Sequence, residues 1–339
     1  MGALVLGMHR SGTSALAGAL EAMGLSVGPD DDVMPADDGN PEGYYELWSI
    51  VRANDDLLAH FGGRWDSPPD LPTDWTDDGV TKDFVHTMRA HLVELFDGGR
   101  YFLKDPRMSL LLPAWRQVTE DQDCAIVIVR DPVEVAASLH RRNGLPVLTG
   151  LALWAAYNRA MFRDLRGARV HVCTYADLVE RPVDVLSDVA ASLRAWGEVS
   201  DDLDLTKALS SIRPELRRNA SGDAASAAES SPIEIRELMK LASDQRGRHD
   251  QFDMGTDLEP GWWEVALLEE RRTLLQWALD AIANLEVNYA SVATENAILW
   301  ERNDIANQEV DRLHERVSRV QRMVPGPLYR LFAKFVSRS

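Results

Sequence analysis

The sequence has few cysteines and no long apolar run. Its 339 residues include two cysteines, Cys124 and Cys173, each inside an apolar stretch. This pattern favours buried thiols in a reducing compartment over a disulfide or a metal site, and no clustered zinc-ligand spacing occurs. No segment approaches the ~20 apolar residues of a membrane span. The first apolar run, Ala3–Leu6, is too short for a signal peptide. We therefore expect a cytoplasmic protein.

An excess of positive charge is also missing. The formal net charge is −18, whereas nucleic-acid binding requires a basic surface, so we expect no nucleic-acid partner. A site for an anionic ligand must then be a local basic pocket, which makes each Arg or Lys cluster informative. The acidic runs Asp30–Asp32 and Asp37–Asp38 lack metal-ligand spacing and are typical of solvated loops. We expect no bound metal.

Short apolar runs alternate with helical patterns over the first part of the chain. The predicted strands are Ala3–Leu6, Tyr101–Leu103, Cys124–Val129 and Arg169–Thr174, and the predicted helices are Ser14–Met23, Thr81–Phe96, Pro132–Arg142 and Leu151–Arg166. Alternation of this kind predicts an α/β fold whose central parallel sheet is flanked by helices. Ligands in such folds bind at the carboxyl ends of the strands.

The remaining chain changes character twice. Residues 221–260 begin with an Ala- and Ser-rich stretch and are interpreted as a linker or mobile segment. Residues 261–324 contain almost no helix breakers, since neither Gly nor Pro occurs from Trp262 to Val324. These residues therefore predict a long C-terminal helix.

A heptad repeat runs through this helix. Apolar or Asn residues recur every seventh position from Leu275 to Val317 and again from Ala278 to Val320. The spacing predicts a coiled coil, and Asn at the first position favours a dimer in fixed register, so we expect a homodimer. The alternative is a helix that folds back on the rest of the chain.

The last residues, 325–339, form a basic amphipathic tail. From Arg316 onward the sequence has six basic residues and no acidic one. Such a tail can rest on an anionic membrane surface, which would place the protein peripherally at the inner membrane face. A disordered or partner-binding tail is the equal alternative.

A glycine-rich loop lies between the first predicted strand and helix. It reads Gly7-Met8-His9-Arg10-Ser11-Gly12-Thr13-Ser14. Glycines allow a tight turn in which successive backbone N–H groups and a helix N-terminus face one anion. The loop predicts phosphate binding. The Walker pattern, however, needs a Lys where Thr13 stands, which disfavours ATP-dependent kinases and hydrolases.

This loop resembles that of the sulfotransferase superfamily, especially its bacterial members, in which Lys or Arg precedes a Ser/Gly-Gly-Thr/Ser run. The resemblance implies a P-loop NTPase-like fold over residues 1–220 and 3′-phosphoadenosine 5′-phosphosulfate (PAPS) as donor. It implies that His9, Arg10, Ser11, Gly12, Thr13 and Ser14 surround the 5′-phosphosulfate.

A second anion site is predicted after the third strand. Val129-Arg130-Asp131-Pro132 is followed by Ser138, and an Arg at a strand end can converge with a hydroxyl on the next helix. In the family this pair binds the 3′-phosphate, which ATP lacks.

Three further segments match the family. Lys104 in Lys104-Asp105-Pro106 would face the transferred group and stabilise developing charge, while the alternative is an ion pair of Lys104 with Asp105. Tyr175 begins a Tyr-x-Asp-Leu segment. Arg217 and Arg218 lie in a Leu-Arg-Arg segment, and either could contact a donor phosphate or lie on the surface.

A general base is predicted in Asn40-Pro41-Glu42-Gly43-Tyr44-Tyr45-Glu46, which resembles an element of bacterial members. Glu46 is the first choice, His9 the second and Asp105 a weaker third. The acceptor would be a hydroxyl of a glycan, glycolipid or small molecule. Tryptophans could line its pocket or belong to the core: Trp48, Trp65, Trp75, Trp115 and Trp154.

Two other functions stay open at this point. One is a P-loop kinase or NTPase that binds ATP with Mg²⁺. The other is a non-enzymatic scaffold in which a degenerate nucleotide fold carries an assembly-forming coiled coil.

Overall fold

A five-stranded sheet forms the centre of the first of two compact units, Met1–Leu268 and Glu269–Ser339, in this computed structural model. The structure describes residues 2–37, 40–41, 43–120, 124–199, 205–212, 231–255, 259–261, 263–276, 279–280, 283, 312–316 and 318–319. The strands are β1 (Gly2–Leu6), β2 (Tyr101–Lys104), β3 (Cys124–Val129), β4 (Val170–Thr174) and β5 (Gly247–His249).

Helices surround this sheet. Those described in the first unit are α1 (Thr13–Ala22), α2 (Trp48–His60), α3 (Gly79–Phe96), α4 (Leu112–Val118), α5 (Pro132–Asn143), α6 (Val147–Asp164), α7 (Tyr175–Glu180), α8 (Pro182–Ala195), α9 (Thr206–Ser211) and α10 (Ile233–Asp244). Short 3₁₀ turns lie at Trp75–Asp77 and Pro106–Ser109. The α/β fold predicted from the sequence is confirmed.

The strand order is β2-β1-β3-β4-β5, with every pair parallel except β4 and β5. The chain leaves β1 in one direction to form β2 and returns to the other side of β1 with β3. Ligands of parallel sheets bind at the carboxyl ends of the strands where the order reverses in this way. The loops after β1, β2 and β3 meet at that position.

Burial on both faces explains why the central strands could be predicted. Side chains of β1 and β3 point alternately into two apolar clusters, one containing Leu4 and Val127, the other containing Val5 and Ile126. Every residue of both strands is buried. Strands of this kind are continuous apolar runs, and the bounds predicted for β3 are those observed.

Both cysteines lie in the second of these clusters, in thiol form. Cys124 donates to the Gly2 carbonyl, and Cys173 donates to that of Val127. Burial raises the pKa of the Cys173 thiol to about 12. The thiol therefore stays protonated at neutral pH and is unreactive, as the sequence predicted.

The linker expected over 221–260 does not hold for residues 231–255. They form α10 and β5, and Ile235, Leu238 and Phe252 are buried in the first apolar cluster. An ion pair between Arg159 of α6 and Glu264 ties the following residues to the same unit. The signal was available for α10, because Ile235, Leu238 and Ala242 have helical spacing.

Described residues of the second unit are helical, namely 269–276, 279–280, 283, 312–316 and 318–319. Of the heptad residues, Leu275 is buried and Leu313 half-buried, while the others, like the tail 325–339, lie outside the described residues. The coiled coil stays a prediction. None of the described helices has both the length and the apolar character needed to cross a bilayer.

Candidate functional site

The loop after β1 adopts a conformation that only its glycines permit at two positions. Gly7 has a φ of +151°, and a Cβ there would lie 2.6 Å from the Ile128 carbonyl oxygen. Gly12 has a φ of +96°, and its Cβ would lie 2.2 Å from the Tyr175 ring. Gly12 is also the N-cap of α1, where no side chain caps the helix. The first N–H groups of α1 and its positive dipole end therefore remain available to an anion.

Arg10 links the two anion sites that the sequence predicted as separate. Its φ of +70° is unusual for a residue other than glycine. In this geometry Arg10 Nε donates to Ser138 Oγ at 2.9 Å, and Arg130 Nη1 donates to the Arg10 carbonyl at 3.1 Å. Arg10 therefore lies between the phosphate loop and the Arg130–Ser138 pair, and the role of that pair as a second anion site stays a prediction.

Arg130 is buried at the carboxyl end of β3. Its Nε donates to Glu134 at 2.8 Å, and its guanidinium lies 4.2 Å from the centre of the Tyr175 ring. Nη2 is buried and has no hydrogen-bond partner among the described residues. Leaving a buried guanidinium N–H without an acceptor is costly, so this atom is suited to an anionic ligand. Asp131 caps α5 and fixes the backbone beside it.

Lys104, the last residue of β2, forms an ion pair with Glu46 rather than with Asp105. Both Lys104 and Glu46 are almost completely buried. Burial raises the pKa of the Glu46 carboxyl, and the adjacent Lys104 ammonium opposes that shift. The Lys104 ammonium also contacts Ser14 Oγ at 3.3 Å. A basic side chain and the predicted base therefore lie beside the end of the phosphate loop.

Asp105, which the sequence offered as a weaker candidate for the general base, is used for structural contacts. Its carboxylate is completely buried and accepts hydrogen bonds from Asn54 and from the backbone and side chain of Arg107. Trp115 Nε1 donates to the same Asn54. These contacts join α2, α4 and the end of β2. Asp105 thus fixes the chain immediately after Lys104.

His9 lies among aromatic rings. Its imidazole is 4.7 Å from the Trp65 ring centre and 5.8 Å from that of Tyr157. Burial, with Arg107 and Lys104 nearby, holds the pKa of His9 well below 6.5. The imidazole is therefore neutral at physiological pH and a weaker proton acceptor than an ordinary histidine.

Arg142 is a cavity residue that the sequence reasoning missed. It lies on α5 one turn after Ser138, contacts the Tyr44 hydroxyl, and has its guanidinium 5.4 Å from the Tyr44 ring centre. Tyr44 in turn donates to Asp37 at 2.7 Å. The signal was available, because residues four apart lie on the same helix face.

These elements enclose one cavity of about 170 Å³. Its cationic lining residues are Arg10, Lys104, Arg130 and Arg142, and among the described residues Glu46 is the acidic one that lines it. The cavity combines His9, Gly12, Thr13, Ser14 and Tyr175 with those residues. Ser11 and Ser138 are buried beside it. Arg217 and Arg218 lie outside the described residues.

None of the five tryptophans considered for the acceptor pocket is among the residues that line the cavity. Trp75, Trp115 and Trp154 are buried in the first apolar cluster. Trp65 contacts His9, and Trp48 packs under Arg52. The core alternative therefore applies to three of the five. Within the described ranges no group of three or more His, Cys, Asp or Glu side chains is arranged to hold a metal ion.

Two of the solved structures that match this chain have titles that name sulfotransferase domains. One is titled "Sulfotransferase Domain from the Curacin Biosynthetic Pathway", with 16% identity and a TM-score of 0.38 over 79% of this chain and 96% of that one. The other is "Sulfotransferase Domain from the Synechococcus PCC 7002 Olefin Synthase", with 19% identity and a TM-score of 0.37 over 79% and 93%. No family model matches the chain, and no curated protein matches its sequence.

Proposed function

We propose that the chain transfers a sulfuryl group from PAPS to a hydroxyl of an acceptor. The observation that carries this proposal is the buried Arg130 Nη2, which lacks an acceptor in a cavity that also receives the open N-terminus of α1. A donor with two separate anionic groups suits such a cavity. Without such a basic cavity, a chain with a net charge of −18 would repel an anionic donor.

Binding divides between the two sides of the cavity. The N–H groups at the start of α1 would hold the 5′-phosphosulfate, as the loop geometry suits an anion. Arg130, with Arg10 and Ser138 beside it, would hold the 3′-phosphate through charge-assisted hydrogen bonds. Tyr175 supports the Arg130 guanidinium by stacking.

Catalysis would use Lys104 and Glu46 together. When bound, PAPS supplies a sulfur atom that the acceptor oxygen attacks in line while the bond to the 5′-phosphate oxygen breaks. Lys104 stabilises the charge that develops on the sulfuryl and leaving oxygens. Glu46, whose pKa burial raises, takes the acceptor proton. His9 can polarise the site but, with its lowered pKa, is the weaker base.

Calorimetric titration tests the donor assignment. We expect 3′-phosphoadenosine 5′-phosphate (PAP) to bind at least about tenfold more tightly than ATP, with or without Mg²⁺. Arg130→Met should weaken PAP binding about tenfold or more, because it removes a charged partner. Arg181→Met, which removes an exposed arginine paired with Asp177, is the matched control. Tighter binding of ATP with Mg²⁺ would favour a kinase or NTPase instead, and binding of neither nucleotide would favour a scaffold.

Replacement of the base tests the mechanism. Glu46→Gln should lower transfer of radiolabelled sulfate to a panel of phenols and sugars by about 100-fold or more while leaving PAP affinity nearly unchanged. Loss of PAP binding in this variant would contradict the assignment of Glu46 as base.

The acceptor and the assembly state belong to the same proposal. We infer a hydroxyl of a glycan, glycolipid or small molecule as acceptor, and a homodimer through the helix over 261–324. A basic tail that contacts a membrane would bring the enzyme to a lipid-linked acceptor. Sedimentation of the full chain, compared with a chain ending at residue 268, measures the dimer.

A further inference from the structure

The Ser14 hydroxyl contacts three polar groups at once. Asn40 Nδ2 lies 3.1 Å from Ser14 Oγ, Lys104 Nζ lies at 3.3 Å, and the Tyr44 carbonyl oxygen lies at 3.4 Å. These partners come from the end of β2 and from the stretch that precedes α2. Ser14 therefore joins the phosphate loop to both.

The orientation of the Asn40 amide follows from its second contact. The same Nδ2 also donates to the Gly43 carbonyl. A carbonyl oxygen can only accept, so the atom facing it must be the amide nitrogen and not the amide oxygen. Asn40 is therefore a donor to Ser14.

The hydrogen-bonding capacity of Ser14 is then fully used. A serine hydroxyl has one hydrogen to donate and two lone pairs to accept. Asn40 Nδ2 and the Lys104 ammonium can only donate, so they occupy both lone pairs. The hydrogen must point to the Tyr44 carbonyl. In this arrangement Ser14 has none left for a phosphate oxygen.

We propose that Ser14 and Asn40 are positioning residues that hold the Lys104 ammonium in the cavity, and that the Ser14 hydroxyl does not bind the nucleotide. This revises the role that the sequence resemblance gave to Ser14. The loop's N–H groups, with the α1 dipole, then carry the contact with the 5′ group. The proposal rests on the function proposed above, because Lys104 matters here as the residue that faces the transferred group.

The contact has a physical purpose because lysine is flexible. Its four-carbon side chain has many rotamers, and its ammonium is a point charge without the planar geometry of a guanidinium. The Glu46 carboxylate alone fixes one direction of approach. Ser14, at the start of α1, adds a second contact to the ammonium. Misplacing a catalytic charge by about 1 Å can cost a large part of the rate.

Ser14→Ala separates positioning from binding. We expect transfer from PAPS to a phenol acceptor to fall about tenfold or more, while PAP affinity changes less than about twofold. Ser14→Thr keeps a hydroxyl at the same place and should restore most of the rate. Asn40→Ala removes one partner of Ser14 and should produce the same split between rate and affinity. Thermal melting of each variant shows that it is folded.

A double-mutant cycle tests whether the effect passes through Lys104. In the Lys104→Met background, Ser14→Ala should add almost no further loss, since the charge to be positioned is gone. Two results overturn the proposal: a loss of PAP affinity of about tenfold in Ser14→Ala, which makes the hydroxyl a nucleotide ligand, or rate losses that multiply in the double variant. A wild-type chain that binds no PAP overturns the proposed function itself, and that result is seen before any variant is made.

Discussion

A comparison of Gly12 with Gly24 measures how much free energy the close packing of the Tyr175 ring against the phosphate loop would cost a side chain at position 12. The two glycines have nearly the same φ, +96° and +95°. A Cβ at Gly12 would lie 2.2 Å from the Tyr175 ring, whereas a Cβ at Gly24 would meet nothing within 4 Å. Gly24→Ala therefore reports the cost of a left-handed backbone alone, and Gly12→Ala reports that cost together with the clash.

The expected magnitudes differ accordingly. A left-handed alanine costs about 1 kcal/mol, and insertion of a methyl group into a packed site costs about 1 to 3 kcal/mol more. We expect Gly24→Ala to lower the free energy of unfolding by about 1 kcal/mol and Gly12→Ala by about 3 kcal/mol. Urea denaturation monitored by tryptophan fluorescence measures both.

The Tyr175 ring should also transmit the change to nucleotide binding. The ring supports the Arg130 guanidinium, so displacing it by Gly12→Ala should weaken PAP binding about tenfold, and Gly24→Ala should leave binding unchanged. In a Tyr175→Ala background the ring is gone, and Gly12→Ala should cost no more stability than Gly24→Ala does. If Gly12→Ala is no more destabilising than Gly24→Ala in the wild-type background, the Tyr175 ring yields freely and the reasoning fails.

Two further predictions concern buried charge. Burial lowers the pKa of His171 from 6.5 to about 4. As the pH falls, the unfolded chain therefore takes up this proton at a higher pH than the folded chain does. His171 costs the fold nothing above about pH 6.5 and an increasing amount as the pH falls towards 4. The free energy of unfolding should therefore drop about 2 kcal/mol further between pH 7 and pH 5 in the wild type than in His171→Gln, by urea titration, with the exposed His86→Gln as control. Arg159→Met leaves the buried Glu264 carboxylate unpaired and should destabilise by about 3 kcal/mol in the same assay, most of which Arg159→Met with Glu264→Leu should restore.

The central strands of the sheet could be predicted because they are buried on both faces, whereas the edge strand β5 could not be predicted. β5 contains Gly247, Arg248 and His249, residues with no strand-like pattern, and it exists because β4 offers it an edge to pair with. Tertiary context of this kind overrides local propensity. α2 was missed for another reason: its apolar positions Ile50, Val51, Leu57 and Leu58 have helical spacing but lie among polar residues.

The sequence indicated which residues belong to the site but not which of them contact one another. Strand ends placed Lys104, Arg130 and Tyr175 at one edge of the sheet, as the sequence indicated. The positive φ of Arg10 has no sequence signature, yet it decides that Arg10 reaches Ser138. Glu46 as partner of Lys104 likewise depends on where the stretch before α2 folds back, which local pattern does not encode.

Cationic side chains of the cavity are already bound to protein groups, and this affects which anions the cavity can bind tightly. Lys104 pairs with Glu46, Arg130 with Glu134, and Arg142 with the Tyr44 hydroxyl. Buried charges without partners would be costly, so these contacts let a basic cavity persist in an acidic chain before any ligand arrives.

A single phosphate can then gain little, because it must share each cation with a resident carboxylate or hydroxyl. The groups still open to a ligand are separated: Arg130 Nη2 lies at the end of β3, and the uncapped N–H groups lie at the start of α1. A ligand can bind both of these groups only if it carries two anionic groups whose separation matches theirs. Because the two anionic groups are covalently joined, the second one binds with a smaller loss of entropy than a separate molecule would. A ligand with two anionic groups, as the proposed donor has, should therefore bind more tightly than inorganic phosphate does.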